Sequence, residues 1–179
     1  MVGESGSIST RIENYNGVFL DAWKAFLNAW EKGEIIVRTH DDIKCHLFAE
    51  SLAIMKERNF EKPYQISVEK SFDDGIPDLN LGFTGFVEGE GWLIVVEIEW
   101  LKAADKRTLS EVEHAMDKLA HYYRKMSGAI CYLALFDKSK RYEQELKPAR
   151  FGMELLEKRT VKNREIDALL YLPHELVHH

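Results

Sequence analysis

Large apolar side chains in the first third of the chain follow a helical repeat. Between residues 16 and 30 four aromatic residues recur at intervals of four, three and four, which predicts an amphipathic helix that Gly33 ends. These residues are Phe19, Trp23, Phe26 and Trp30. Such a stripe belongs to a core, or else forms a surface for a partner such as a second copy in a homodimer.

A second helix is predicted over residues 41–58. Thr39 can cap its first turn, and Asp41 and Asp42 place negative charge where the helix dipole favours it. Its apolar side carries Ile43, Leu47 and Ile54, and Glu50 lies at the margin of that side.

Strand-like and helical runs then follow one another to the end of the chain. Three runs read as strands, and the third is hydrophobic enough for a central strand that is buried on both faces. A helix follows with Ser110 and Glu113 as a capping box, and then a strand, a helix and a last strand. The ranges are 64–72, 78–86, 92–100, 108–126, 129–136, 148–159 and 166–172. This order predicts an α/β domain with a mixed central sheet flanked by helices on both faces.

Length and composition agree with one globular domain. The chain has 179 residues, of which 45% are hydrophobic and 30% charged. We expect a flexible segment at 1–10, a helical extension at 11–38, a core at 39–137 and a basic helix and strand at 138–179. The longest apolar run, 92–96, is about a quarter of the ~20 residues that a membrane helix needs. Cys45 and Cys131 have no metal-type spacing, so we expect reduced core cysteines in a cytoplasmic protein.

Charge is unevenly distributed around the net value of −6. Residues 66–113 hold eleven acids and four bases, whereas residues 137–165 hold nine bases and six acids. An acidic centre beside a basic flank is typical of a cation site next to an anion-binding surface. Ordinary surface patchiness would give the same counts.

The acidic centre contains two carboxylates at the end of the most hydrophobic run. Residues two apart in a strand point to the same face, so Glu97 and Glu99 project together. Asp78 opens the preceding strand, and antiparallel pairing would bring it beside them. Carboxylates this close in a low-dielectric setting need a proton or a cation between them. The alternative is a solvated strand end whose acids pair with Lys102, Lys106 or Arg107.

These residues resemble the PD-(D/E)xK nuclease superfamily, which has the restriction-endonuclease-like fold. The matching features are a helix glutamate at Glu50, Pro77-Asp78 at the start of a strand, and Glu97-Ile98-Glu99 at the end of the next. The resemblance covers roughly residues 41–136. It implies an αβββαβ core, with the first predicted helix as an addition at the N-terminal side.

The resemblance also implies a chemistry, the hydrolysis of phosphodiester bonds with Mg²⁺ or Mn²⁺ and with DNA as the expected partner. Asp78, Glu97 and the Ile98 carbonyl would hold the metal, helped by Glu50. Glu99 stands where the family has its lysine. Lys102 and Lys118 are the candidates to replace that lysine. If neither does, the expectation becomes a catalytically inactive module that binds nucleic acid or protein.

Basic side chains suggest where nucleic acid would bind. On the helix predicted over 108–126, Lys118, His121 and Lys125 share one face with His114, and the basic flank adds Lys158 and Arg159. Both groups would equally suit a solvated surface.

A last motif points to another enzyme class. Residues 174–178 read H-E-x-x-H, the signature of zinc peptidases. Pro173 follows a strand-like run and leaves little room for the helix that this motif needs, so a zinc peptidase is the remote alternative.

Overall fold

The computed structural model describes residues 8–69, 77–83, 92–102, 106–125, 129–142, 152–162 and 164–173. Within these ranges the chain forms three helices and six strands. The helices are α1 (Ile8–Lys32), α2 (His40–Glu57) and α3 (Lys106–Lys125). The strands are β1 (Ile66–Val68), β2 (Leu79–Phe83), β3 (Trp92–Leu101), β4 (Ile130–Asp137), β5 (Met153–Val161) and β6 (Ile166–Pro173).

The strands form one mixed sheet in the order β1-β2-β3-β4-β6-β5. β3 and β4 pair in parallel through the α3 crossover, and the other neighbouring strands pair antiparallel. β3 therefore lies inside the sheet with hydrogen-bonded neighbours on both sides. Its first seven residues are buried, which confirms the expected central strand.

Helices cover both faces of the sheet and create two apolar cores. On one face α1 and α2 pack against side chains such as Ile94 and Ile98 of β3. On the other face α3 packs against Val95 and Leu101 of the same strand. The predicted α/β class, the mixed sheet and the placement of helices on both faces are confirmed.

The aromatic stripe of α1 belongs to the first core. Phe19, Trp23, Phe26 and Trp30 have no exposed surface, and rings of this stripe pack against Tyr132 and Phe136 of β4. A homodimer that uses Trp23 and Trp30 is therefore wrong, because both indoles are enclosed within one chain.

Three local predictions are wrong. Residues 153–159 form a strand instead of a helix, because pairing with β6 along its whole length overrides the helix propensity of Glu, Leu and Lys. α3 begins at Lys106, so Ser110 and Glu113 lie within the helix and do not cap it. Cys45 is exposed on α2, whereas Cys131 is buried as expected.

Several predictions fall outside the described residues. They concern most of the segment expected to be flexible at 1–10, the end of the strand predicted over 78–86, the first residues of the helix predicted over 148–159 and the H-E-x-x-H motif. Among the described helices, none combines the length and the apolar character that crossing a bilayer requires.

One glycine allows α1 to approach the sheet closely. Gly82 of β2 has φ +69°, and an added Cβ would lie 2.7 Å from the Tyr15 ring and 2.9 Å from Leu93. Gly33, after α1, has a similar φ of +75°, but an added Cβ would meet no described residue within 4 Å. A comparison of substitutions at Gly82 and Gly33 therefore separates the cost of a strained backbone from the cost of a steric clash.

We expect Gly82→Ala to reduce the free energy of unfolding by about 1–3 kcal/mol more than Gly33→Ala does. Both substitutions carry the cost of a left-handed alanine, about 1 kcal/mol, but only the first forces a methyl group into Tyr15 and Leu93. Urea denaturation of the two variants measures the difference. Equal losses would show that the contact between α1 and β2 yields without cost.

Candidate active site

A cleft of about 650 Å³ opens near the carboxyl end of β3. Four carboxylates line it, Asp78 before β2, Glu97 and Glu99 in β3, and Glu111 on α3. Cationic and neutral polar groups from the first turn of α2, from the end of β3 and from α3 complete its wall; they include His40, Lys102, Arg107 and Lys118. The structure thus brings the three predicted acids to one place.

The strand register places Asp78 beside the end of β3. Leu79, the first residue of β2, pairs with Val96 in the antiparallel ladder, so the residue before it, Asp78, lies next to Glu97. Asp78 Oδ2 accepts a hydrogen bond from the Ile98 N–H at 2.7 Å. This bond fixes the carboxylate against the β3 backbone.

Glu97 is the most buried of the three acids, with 1% of its surface exposed. Its Oε2 accepts a hydrogen bond from Lys118 Nζ at 2.6 Å. In the described part of the chain its Oε1 is buried with no hydrogen-bond partner. Burial, and then the charge of Asp78, raises the pKa of Glu97 to about 8, although Lys118 opposes the shift.

Glu99 is half-buried and shares the α3 face of β3 with Glu97, as predicted. Burial raises its pKa to about 7. The neighbouring His40 opposes this shift, and the charge of Asp78 adds to it. A carboxyl group with this pKa can both hold and release a proton near neutral pH.

His40 is a site residue that sequence reasoning missed. Thr39 caps α2 in a capping box with Asp42, which sets His40 as the first helical residue. Its Nε2 lies 2.6 Å from the Ile98 carbonyl oxygen and 3.5 Å from Asp78 Oδ2. The hydrogen bond with Asp78 is the main reason that the pKa of His40 is raised. Its place directly after the cap was the only signal available in the sequence.

Lys44, one turn further along α2, was also missed. It is buried, and its Nζ lies 2.8 Å from Asp41 Oδ1 and 3.8 Å from Asp78 Oδ1, with a further contact to Glu69. Burial alone would lower the pKa of Lys44, but the bonds to Asp41 and Glu69 raise it above its ordinary value. A permanent positive charge therefore stands behind Asp78.

The candidates for the absent family lysine both line the cleft. Lys102 is exposed and lies just beyond the end of β3, so strand alternation no longer sets its direction. Lys118 reaches the cleft from α3 and is 27% exposed. Of the two, Lys118 contacts an acid of the site directly.

Glu50 does not line the cleft with the other predicted ligands. It lies ten residues after His40 in α2, which is about 15 Å along the helix axis. The first turn of α2 faces the acids, so His40 and Lys44 occupy the place that the sequence assigned to Glu50.

Most of the predicted nucleic-acid contacts also lie elsewhere. Lys158 and Arg159 are on β5, three strands and about 14 Å across the sheet from β3. Lys158 lies 3.7 Å from Asp167, and Arg159 is paired with Glu31 of α1 at 2.5 Å. His121 is half-buried on α3, and the side chain of Lys125 is outside the described part.

The donor chemistry of the site fits a hard divalent cation. Carboxylate oxygens from Asp78, Glu97 and Glu99 and the Ile98 carbonyl are the ligand types that Mg²⁺ and Mn²⁺ prefer. Glu97 Oε1, which has no partner among the described side chains and backbone, is a buried acceptor of the kind that a cation would satisfy. As placed, no three His, Cys, Asp or Glu side chains of the described ranges converge closely enough to hold an ion. Lys118 supplies positive charge to the same carboxylate instead.

The raised pKa of Glu97 predicts a pH-dependent stability in chelator-treated protein. The folded state binds this proton more tightly than the unfolded state, so the stabilisation is complete below about pH 4.5 and is lost as the pH rises through about 8. Between pH 5 and pH 8.5 we expect the wild type to lose about 4 kcal/mol more unfolding free energy than Glu97→Gln.

Denaturant titrations of both proteins across this range measure the effect. Glu113→Gln is the matched control, since Glu113 is an exposed acid on α3, and it should follow the wild type. Parallel curves for wild type and Glu97→Gln would contradict the assignment of the proton to Glu97.

Comparison of the chain with family models, curated proteins and solved structures gives no match. The functional assignment therefore rests on the geometry and electrostatics of the cleft.

Proposed function

We propose that this protein is a divalent-metal-dependent nuclease that hydrolyses phosphodiester bonds, with DNA as its substrate. One observation carries the proposal. Asp78, Glu97 and Glu99 line one cleft, and the most buried of them, Glu97, keeps an oxygen without a partner among the described residues. Clustered carboxylates with a buried, unsatisfied oxygen are what a cation site requires.

The order of elements supports the same proposal. From α2 to β4 the chain runs helix, three strands, helix, strand, which is the αβββαβ order of the restriction-endonuclease-like fold. Pro77-Asp78 directly precedes β2 and adjoins Glu97-Ile98-Glu99 of β3, as the PD-(D/E)xK resemblance requires. We propose that fold for the core, with α1 packed on one face and β5 and β6 extending the sheet.

The proposed roles follow from the positions of the groups. Asp78, Glu97 and the Ile98 carbonyl would hold the cation, and His40 stands within reach of the same oxygens. A bound divalent cation would supply Lewis acidity at the phosphate and would lower the pKa of water. Glu99, with its pKa of about 7, is suited to accept the proton of the attacking water.

Cationic side chains near the acids would position the substrate. Lys102 and Arg107 are exposed and line the cleft on the side of β3 and α3. Arg107 Nε lies 3.1 Å from Glu111 Oε1, and this ion pair holds the guanidinium close to where a phosphate would enter. The carboxylates of the cleft repel a phosphodiester. The positive side chains around them attract it and so bring it close to the carboxylates.

A second candidate is a nucleic-acid-binding module of the same fold without catalysis. The ion pair between Lys118 and Glu97 favours it, because that pair supplies the charge of one carboxylate internally. A module of this kind would bind nucleic acid and leave it intact with any divalent ion.

The deciding experiment is cleavage of supercoiled, linear, single-stranded and branched DNA, and of RNA, with Mg²⁺ or Mn²⁺. We expect metal-dependent cleavage that chelation abolishes. Asp78→Asn and Glu97→Gln should each reduce the rate by about 10²-fold or more, because each removes charge that the transition state depends on.

Glu113→Gln and Asp117→Asn are matched controls, since both alter exposed acids of α3. They should cleave at the wild-type rate. Binding of DNA without cleavage of any substrate would select the binding module. Cleavage that survives both Asp78→Asn and Glu97→Gln would place the active site elsewhere.

A further inference from the structure

Lys118 occupies an unusual position between a buried carboxylate and the open cleft. Its Nζ lies 2.6 Å from Glu97 Oε2, while its side chain keeps 27% of its surface exposed. Glu97 itself has a side chain that is only 2% exposed. The ammonium group therefore sits at the boundary, bonded to the interior and accessible from the cleft.

The origin of Lys118 in α3 gives it two positions to occupy. A lysine carries its charge on a four-carbon stem with several rotatable bonds. Neighbouring α3 residues Ala115, Leu119 and Tyr122 are buried against the sheet, so the helix that carries this stem is fixed. Rotation of the stem would move the charge away from Glu97 and into the cleft that Glu99 also lines.

A divalent cation and Lys118 compete for the same carboxylate. Glu97 offers one oxygen bonded to Lys118 and one without a partner in the part of the chain that the structure describes. A cation bound there would repel an ammonium group only a few ångströms away. Lys118 also lines the cleft, where a phosphate would lie. Binding of the cation and contact between Lys118 and phosphate should then favour one another.

We infer that Lys118 is an exchangeable counter-ion of the acidic cluster, which is bonded to Glu97 in the metal-free protein and is released to bind the substrate phosphate when a divalent cation takes its place. This inference rests on the proposed function. It deepens that function by assigning a group that couples cation binding to nucleic-acid binding.

The test measures DNA affinity with and without Mg²⁺ by fluorescence anisotropy. The probe is a phosphorothioate-linked oligonucleotide, which keeps one negative charge at each linkage and resists hydrolysis. In the chelator-treated protein Lys118→Met should bind within about twofold of wild type, because Glu97 already occupies this lysine. With saturating Mg²⁺ the same variant should bind about tenfold more weakly than wild type.

Lys102→Met is the matched control. Lys102 lines the cleft, is exposed, and has no ion pair among the described residues. Its removal should weaken binding by the same factor in both conditions, because its charge is available to phosphate throughout. Lys118→Arg retains the charge and should restore most of the gain in affinity that Mg²⁺ produces.

Thermal melting of each variant establishes that it is folded, and calorimetry measures Mg²⁺ binding. Equal weakening of DNA binding by Lys118→Met in both conditions, or no weakening in either, would overturn the counter-ion inference while leaving a metal-dependent nuclease intact. A wild type that binds no Mg²⁺ with or without the oligonucleotide would overturn the inference and the proposed function together.

Discussion

A carboxylate that a central strand removes from water has to be matched by a proton or by positive charge, and Glu97 imposes this condition on its surroundings. The two carboxylate oxygens of Glu97 differ in their hydrogen bonding. Oε2 is matched by Lys118, whereas Oε1 has no hydrogen-bond partner within the described chain. The pKa of about 8 expresses the remaining cost, because burial and Asp78 outweigh the favourable lysine. A natural sequence retains such a residue at a cost in stability when the charge has a use.

The backbone keeps this costly cluster from dispersing. Antiparallel pairing of β2 with β3 sets Asp78 beside the end of the buried strand, and its bond to the Ile98 N–H prevents it from turning to solvent. The capping box of α2 fixes the start of that helix beside Asp78, so His40 and the buried Lys44 both lie close to this carboxylate. The aromatic face of α1 packs over the same sheet, so the elements that hold the acids are fixed by apolar contacts on the opposite face from α3. The free energy gained by apolar packing therefore offsets the free energy lost by burying the polar cluster.

The sequence predicted those parts of the fold and site that depend on local periodicity. Alternation along β3 correctly placed Glu97 and Glu99 on one face, and the hydrophobic repeat correctly identified the buried stripe of α1. It misassigned β5, whose strand form comes from pairing with β6 and leaves no trace in its own helix-favouring residues. It also selected Glu50 in place of His40. Which turn of α2 meets the sheet depends on the packing angle of that helix, and residue spacing within the helix does not encode it.

The glutamate at position 99 changes the charge balance that a strand lysine would set. A lysine two residues after Glu97 would point into the cleft from the rigid strand, with its direction fixed by the pleat. With Glu99 there, the strand contributes two acids, and the compensating charge arrives from α3 on a flexible stem. The positive charge is then no longer tied to one direction. In the proposed exchange, Lys118 contacts Glu97 while no cation is bound, and it contacts the substrate phosphate once a cation has taken its place at Glu97. A site assembled in this way links the charge that stabilises the resting protein to the charge that the proposed reaction requires.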